Sequence, residues 1–177
     1  MVKRIALILA TTFPVMAFAA SQNTITFKGQ VSAQTCSVTV NGNAANPVIL
    51  MPTVSTAALA AVNSKAGETP FTIGVSGCQA PGAGNTLAIK TAFLGSNVTS
   101  AGNLVNAGTA ANVQVQLLDG AGGAAVTLNG ITSVAGLVLN GTDTSASHDF
   151  AVQYVSEAGT AGAGTVSATA QYALDYL

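Results

Sequence analysis

The sequence predicts an all-β sandwich. Two observations carry this: a succession of short segments in which apolar and polar residues alternate, and Asn-Gly or Asp-Gly pairs and Gly/Ala-rich stretches between them. A third observation sets aside a β-solenoid or low-complexity passenger, because the spacing of the segments never settles into a period. At 177 residues the chain is long enough for one domain with a sizeable core.

The first residues read as an export signal. Lys3 and Arg4 precede the apolar run "IALILATTFPVMAFA", which is short and interrupted by Pro14. Ala17-Phe18-Ala19 then supplies the small-x-small cleavage pattern, so residues 1–19 are expected to be removed and the mature chain to begin at Ala20. The mature chain then keeps three basic residues, Lys28, Lys65 and Lys90, against six acidic ones, a net charge of −3. A charged fraction of 6% is far below the usual share of about 25%. So few charges argue against a nucleic-acid or anionic-membrane partner and favour a surface meant for assembly.

"NTITFKGQV" comes next. Ile25, Phe27, Gly29 and Val31 fall on one face of a strand, with Thr24, Thr26, Lys28 and Gln30 on the other. On the residues alone, this is either the first strand of its own sandwich or a strand lent elsewhere. Cys36 and Cys78 are the only cysteines. In an exported chain they are expected to form one disulfide, and they lack the CxxC spacing of a metal or redox pair. "TVSTAALAAVNSKAG" places Ala and Leu at loose helical spacing and is expected to form a helical turn or two in a crossing loop.

The remaining strands follow in order. "TPFTIGVSGC" alternates Phe71, Ile73 and Val75, and "NTLAIKTAFL" is rich in strand formers. "ANVQVQLLDG" alternates Val113, Val115 and Leu117 before an Asp-Gly turn, and "HDFAVQYVSE" alternates Phe150, Val152 and Tyr154. "GTVSATAQYALDYL" sets Val166, Ala168, Ala170, Tyr172, Leu174 and Tyr176 on one face of a long last strand. The pairs Asn41-Gly42, Asn129-Gly130 and Asn140-Gly141 tolerate positive φ and mark tight turns.

No catalytic or metal constellation emerges, and neither enzyme activity nor a cofactor is expected. His148, the only histidine, is followed directly by Asp149. Neighbours in a strand face opposite ways, so the two do not converge on one nucleophile, and His148 is expected to be an exposed residue opening a strand. The carboxylates are scattered without a calcium-loop pattern, and the glycine-rich runs lack a phosphate-loop pattern. Asn97-Val98-Thr99 and Asn140-Gly141-Thr142 match the glycosylation sequon, which short polar segments often do by chance.

In their order these pieces resemble the chaperone–usher fimbrial pilins of the type 1-like group. The carriers are an export signal, an alternating "ITFKGQV", Cys36 soon after, "TPFTIGVSGC" with Cys78, then "VQVQLLDG", "FAVQYV" and a terminal strand with Tyr176 next to last. The resemblance implies an incomplete immunoglobulin-like β-sandwich lacking its last strand, completed by a donor strand from a neighbouring subunit. It divides the chain into a signal (1–19), an N-terminal donor-strand extension (20–31) and a pilin domain (32–177). Ile25, Phe27, Gly29 and Val31 would enter another copy's groove. Burial of the three large side chains would offer roughly 5–9 kcal/mol gross, before ordering entropy.

The same resemblance implies that Ala168, Ala170, Tyr172, Leu174 and Tyr176 belong to the acceptor strand, which a periplasmic chaperone also grips. The implied partners are other pilin subunits in a homopolymer, that chaperone and an outer-membrane usher; no host receptor is implied. Many major pilins carry a glycine where Asn23 stands, a departure that bears on shaft against minor adaptor. A tip adhesin would need a lectin domain for which 177 residues are expected to leave no room.

Overall fold

The structure is a computed structural model that describes residues 31, 33, 34, 36–45 and 47–176. Among the described residues nine strands form in chain order: β1 (Ser37–Val40), β2 (Ser64–Ser76), β3 (Thr86–Gly95), β4 (Leu104–Val105), β5 (Gln114–Leu118), β6 (Ala125–Val126), β7 (Thr132–Asn140), β8 (Ala146–Ser156) and β9 (Ala170–Asp175). One sheet runs β1-β2-β8-β5-β4 with β6 paired to β5, and the other runs β7-β3-β9. Every pairing is antiparallel.

The alternating positions meet between the sheets. Ile73, Ile89, Leu139 and Phe150 are fully enclosed there, with Leu137, Val75 and Phe93 beside them. Phe150 of β8 stacks on Phe71 of β2 at 5.7 Å between ring centroids and receives Phe93 of β3 edge-on at 5.1 Å. One ring thereby joins three strands and both sheets, in geometries worth about 0.5–1.5 kcal/mol per pair beyond burial.

The tight turn after β1 is written in its residues. Asn41 and Gly42 both have positive φ (48° and 76°), and Val40 and Asn43 exchange both backbone hydrogen bonds across them at 2.9 Å. That is a two-residue hairpin of the type that Asn-Gly favours. Thr72 N of β2 donates to Asn41 Oδ1 at 2.8 Å, which ties the turn to the sheet.

Cys36 and Cys78 are bonded, with Cα atoms 4.3 Å apart, at the end of the β1–β2 pair. Beside them Gln34 and Gln79 bond reciprocally: Gln34 Nε2 to Gln79 O at 3.1 Å, and Gln79 N to Gln34 Oε1 at 3.0 Å.

Two expectations need correction, on the last strand and on His148; a third is met in part, and one strand goes unannounced in the sequence. The crossing loop holds a single 3₁₀ turn, Thr56–Leu59, capped by Ser55; the following Ser64-Lys65-Ala66-Gly67 belongs to β2, whose cross-strand bonds to β8 override the local helical spacing. The last strand is shorter than its alternation suggests, because only Ala170–Asp175 pairs with β3. Upstream, Thr165, Ser167 and Thr169 bond instead to residues 96–110.

His148 is half-buried rather than exposed. Its Nε2 lies 2.9 Å from Asp119 O and its ring stands edge-on to Phe150. The space exists because Gly136 lacks a side chain; a Cβ there would overlap the imidazole. Asp149, on the opposite face, accepts from Thr72 Oγ1 at 2.6 Å.

Finally, β7 is a strand the alternation does not reveal. Its register with β3 shifts between Ile89 and Thr91, so Val134 before the bulge and Leu137 and Leu139 after it all turn inward although they differ in phase.

Candidate strand-accepting groove

An open apolar groove of about 520 Å³ runs along the sandwich. Its floor comes from four strands: Phe71 and Ile73 of β2, Phe93 of β3, Val115 and Leu117 of β5, and Val152 and Tyr154 of β8. Val40 of β1 and Leu104 of β4 add to it, and two stretches of chain, residues 47–51 and residues 166–170, complete the lining with Tyr172 of β9. Tyr154 and Val166 also line an adjoining cavity of about 430 Å³, walled by small residues from 161–164 and by Thr53–Thr56.

Part of the backbone along the groove lacks partners among the described residues. Among the described residues, none of the polar main-chain groups of Pro47–Met51 is hydrogen bonded. Ile49 and Met51 pack against the core, whereas Val48 and Leu50 are 83% and 88% exposed.

On the other stretch the bonds alternate. Thr165 O accepts from Ala110 N at 3.0 Å, Ser167 O from Ala107 N at 2.7 Å, and Ser167 N donates to Asn106 Oδ1 at 2.9 Å. Val166 and Ala168 lie between them, and their main-chain groups have no partner among the described residues. In an extended chain those groups point the opposite way to their neighbours', toward the groove. Unsatisfied backbone beside apolar surface is costly, and one inserted strand would satisfy both stretches while covering the floor.

The positions singled out in the sequence distribute unevenly over this site. Ala168, Ala170 and Tyr172 lie along the groove. Leu174 and Tyr176 do not line it, and pack partly buried against the core beyond its end. Val31 is fully exposed, while Ile25, Phe27 and Gly29 lie outside the described residues. Sequence reasoning missed the stretch 47–51, although "NPVILMP", an apolar run bracketed by prolines, is visible in the sequence. It also left the floor residues unassigned to a site, since each reads as ordinary core.

An immunoglobulin-like sandwich short of one strand, with an apolar groove between two stretches of backbone that keep unpaired groups, is a strand-accepting subunit. The chain belongs to the fimbrial protein family, whose model matches residues 25–177. It is 38% identical over 160 residues to the F17 fimbrial protein of Escherichia coli, covering 86% of each chain. It is 36% identical over 169 residues to the major fimbrial subunit SMF-1 of Stenotrophomonas maltophilia, covering 89% of this chain and 94% of that one.

Among solved structures it resembles the P pilus rod subunit PapA, with a TM-score of 0.59 and 20% identity over 80% of this chain and 99% of that one. A subunit of a chaperone–usher pilus rod matches with the same TM-score and 21% identity, over 95% of this chain and all of the other. At these identities the structures speak to the fold, which is that of a chaperone–usher pilus subunit. The protein is a structural subunit of a fimbria, exported through the periplasm and assembled with other pilin subunits on the cell surface.

Proposed function

We propose that this subunit polymerises by accepting, in the groove described above, residues 20–31 of a neighbouring copy, after removal of residues 1–19 on export. The observation that carries this reading is the unpaired main chain of 47–51 and of Val166 and Ala168, among the described residues, beside a floor of apolar side chains and Tyr154. Chaperone–pilin complexes are established examples of such strand addition.

In the donor, Ile25, Phe27 and Val31 would bury their side chains, and Gly29 would allow close approach of backbones. Before assembly a periplasmic chaperone would lend a strand to the same groove, with Tyr176 at the end of the strand it grips. An outer-membrane usher would exchange the two. Left empty, an apolar groove with free main-chain groups invites aggregation. The role is structural, with adhesion as the property of the finished fibre and no catalysis ascribed to the chain. The name of the Stenotrophomonas relative, a major fimbrial subunit, supports a place in the shaft. Asn23, where many major pilins have glycine, keeps a minor adaptor as the second reading.

Deleting residues 20–30 tests the proposal. The shortened subunit should still be recovered with its chaperone and should cap fibres rather than extend them. Fibres of normal length built from this variant alone would overturn the donor role.

A further inference from the structure

Of the three Asn-Gly pairs in the described chain, the fold protects two and leaves one open. We propose that Asn129 is a site of spontaneous deamidation, and that the assembled subunit acquires a new negative charge and an isoaspartyl linkage there with age.

In the reaction the backbone nitrogen of Gly130 attacks Asn129 Cγ. A C–N bond forms, the Cγ–Nδ2 bond breaks, and ammonia leaves with the proton that Gly130 N gives up. Water then opens the succinimide at either carbonyl, producing aspartate or isoaspartate. The reaction needs a free nucleophile and an unrestrained side-chain amide.

At Asn41 the amide is held, because Oδ1 accepts from Thr72 N at 2.8 Å inside a closed two-residue hairpin. At Asn140 the nucleophile is held, because Gly141 N donates to Asn85 O at 2.9 Å, and Asn140 N is fixed by Asp143 Oδ2 at 3.1 Å. At the third pair Asn129 N donates to Thr127 O at 3.2 Å, but neither the side-chain amide nor the nucleophile is held. Asn129 and Gly130 are both exposed, and among the described residues neither the Asn129 side-chain amide nor Gly130 N has a hydrogen-bond partner. Gly130, with φ of 83°, has nothing within 4 Å of where a Cβ would stand, so the ring has room to close.

The position has structural consequences. Leu128, 1% exposed, anchors one side of this turn, and Thr132 Oγ1 donates to Thr127 O at 3.1 Å across it. An isoaspartyl linkage adds one atom to the backbone between Leu128 and β7. On a mature chain with three basic and six acidic side chains, one more carboxylate is a large proportional change.

The test is peptide mapping of intact fimbriae aged at mildly alkaline pH, alongside the same chain in denaturant. With a hydrogen bond worth roughly 1 kcal/mol protecting each of the other two, Asn129 should convert about fivefold or more faster than Asn41 and Asn140 in fimbriae. The three rates should draw together in denaturant. Fimbriae of Asn129→Gln should lose the early acidic form on isoelectric focusing. Equal conversion at all three sites in fimbriae, conversion led by Asn41 or Asn140, or persistence of the acidic form in Asn129→Gln would overturn the proposal. These outcomes do not depend on which segment fills the groove.

Discussion

Phe93 of β3 meets Phe150 of β8 edge-on, with ring centroids 5.1 Å apart and planes at 80°. Phe93 also forms part of the groove floor, so the contact that joins the two sheets is the one on which an inserted strand would rest. Core stability and strand acceptance therefore share side chains. Phe150→Ala should destabilise the assembled subunit by about 3–5 kcal/mol, since a fully buried ring leaves a cavity touching both sheets. Urea unfolding of assembled fibres measures it, and a loss below about 1 kcal/mol would mean the neighbouring rings close the gap.

The Cys36–Cys78 bridge spans 42 residues of sequence. On the chain-entropy account its removal costs about 4 kcal/mol. The double variant Cys36→Ser, Cys78→Ser should therefore give a lower unfolding midpoint and a smaller periplasmic yield. Adding reductant to the variant should change nothing further, which separates loss of the bridge from unrelated redox effects.

Thr91 is 1% exposed, and its Oγ1 has no hydrogen-bond partner among the described residues. Replacing a buried, unsatisfied hydroxyl by a methyl group of similar shape removes a desolvation penalty of about 1–3 kcal/mol. Thr91→Val should accordingly raise the unfolding midpoint of the subunit. A fall in the midpoint would show that the hydroxyl finds a partner in solution.

A polar chain crosses β8 and β5. Gln153 Nε2 donates to Gln116 Oε1 at 2.9 Å, Gln116 Nε2 to Asn103 Oδ1 at 3.0 Å, and Asn103 Nδ2 to Glu157 Oε1 at 2.7 Å. Thr99 Oγ1 donates to the same carboxylate oxygen at 2.6 Å. Asn103→Leu breaks the middle and strands a buried amide, at an expected cost of about 1–3 kcal/mol. Thermal unfolding compared with Thr99→Val, at the partly buried end, should show the larger loss for Asn103→Leu.

Ala168 lines the groove where it packs, partly buried, against the core. Phenylalanine at this position would occupy space meant for an incoming side chain, an overpacking that costs about 1–3 kcal/mol. Ala168→Phe should thus lower strand acceptance roughly tenfold to hundredfold while the far-ultraviolet circular dichroism of the subunit is unchanged. Fibre yield per subunit is the readout, and undiminished yield would place the donor elsewhere.

The sequence by itself determined what depends on neighbours along the chain. Alternation at Phe71-Ile73-Val75 and Phe150-Val152-Tyr154 assigned two long strands and the buried face of the first, and Asn41-Gly42 specified a hairpin through its tolerance of positive φ. With only two cysteines in an exported chain, pairing left no alternatives.

The tertiary structure decided what depends on which strands become neighbours. It placed β7, whose alternation slips at a bulge, and half-buried His148 over Gly136. It gathered the groove floor from strands of both sheets and left the main-chain groups of 47–51, Val166 and Ala168 without partners among the described residues. Local periodicity reports which face of a strand is apolar. Whether that face or edge is covered depends on contacts distant in sequence, so a gap in a sheet leaves no local mark.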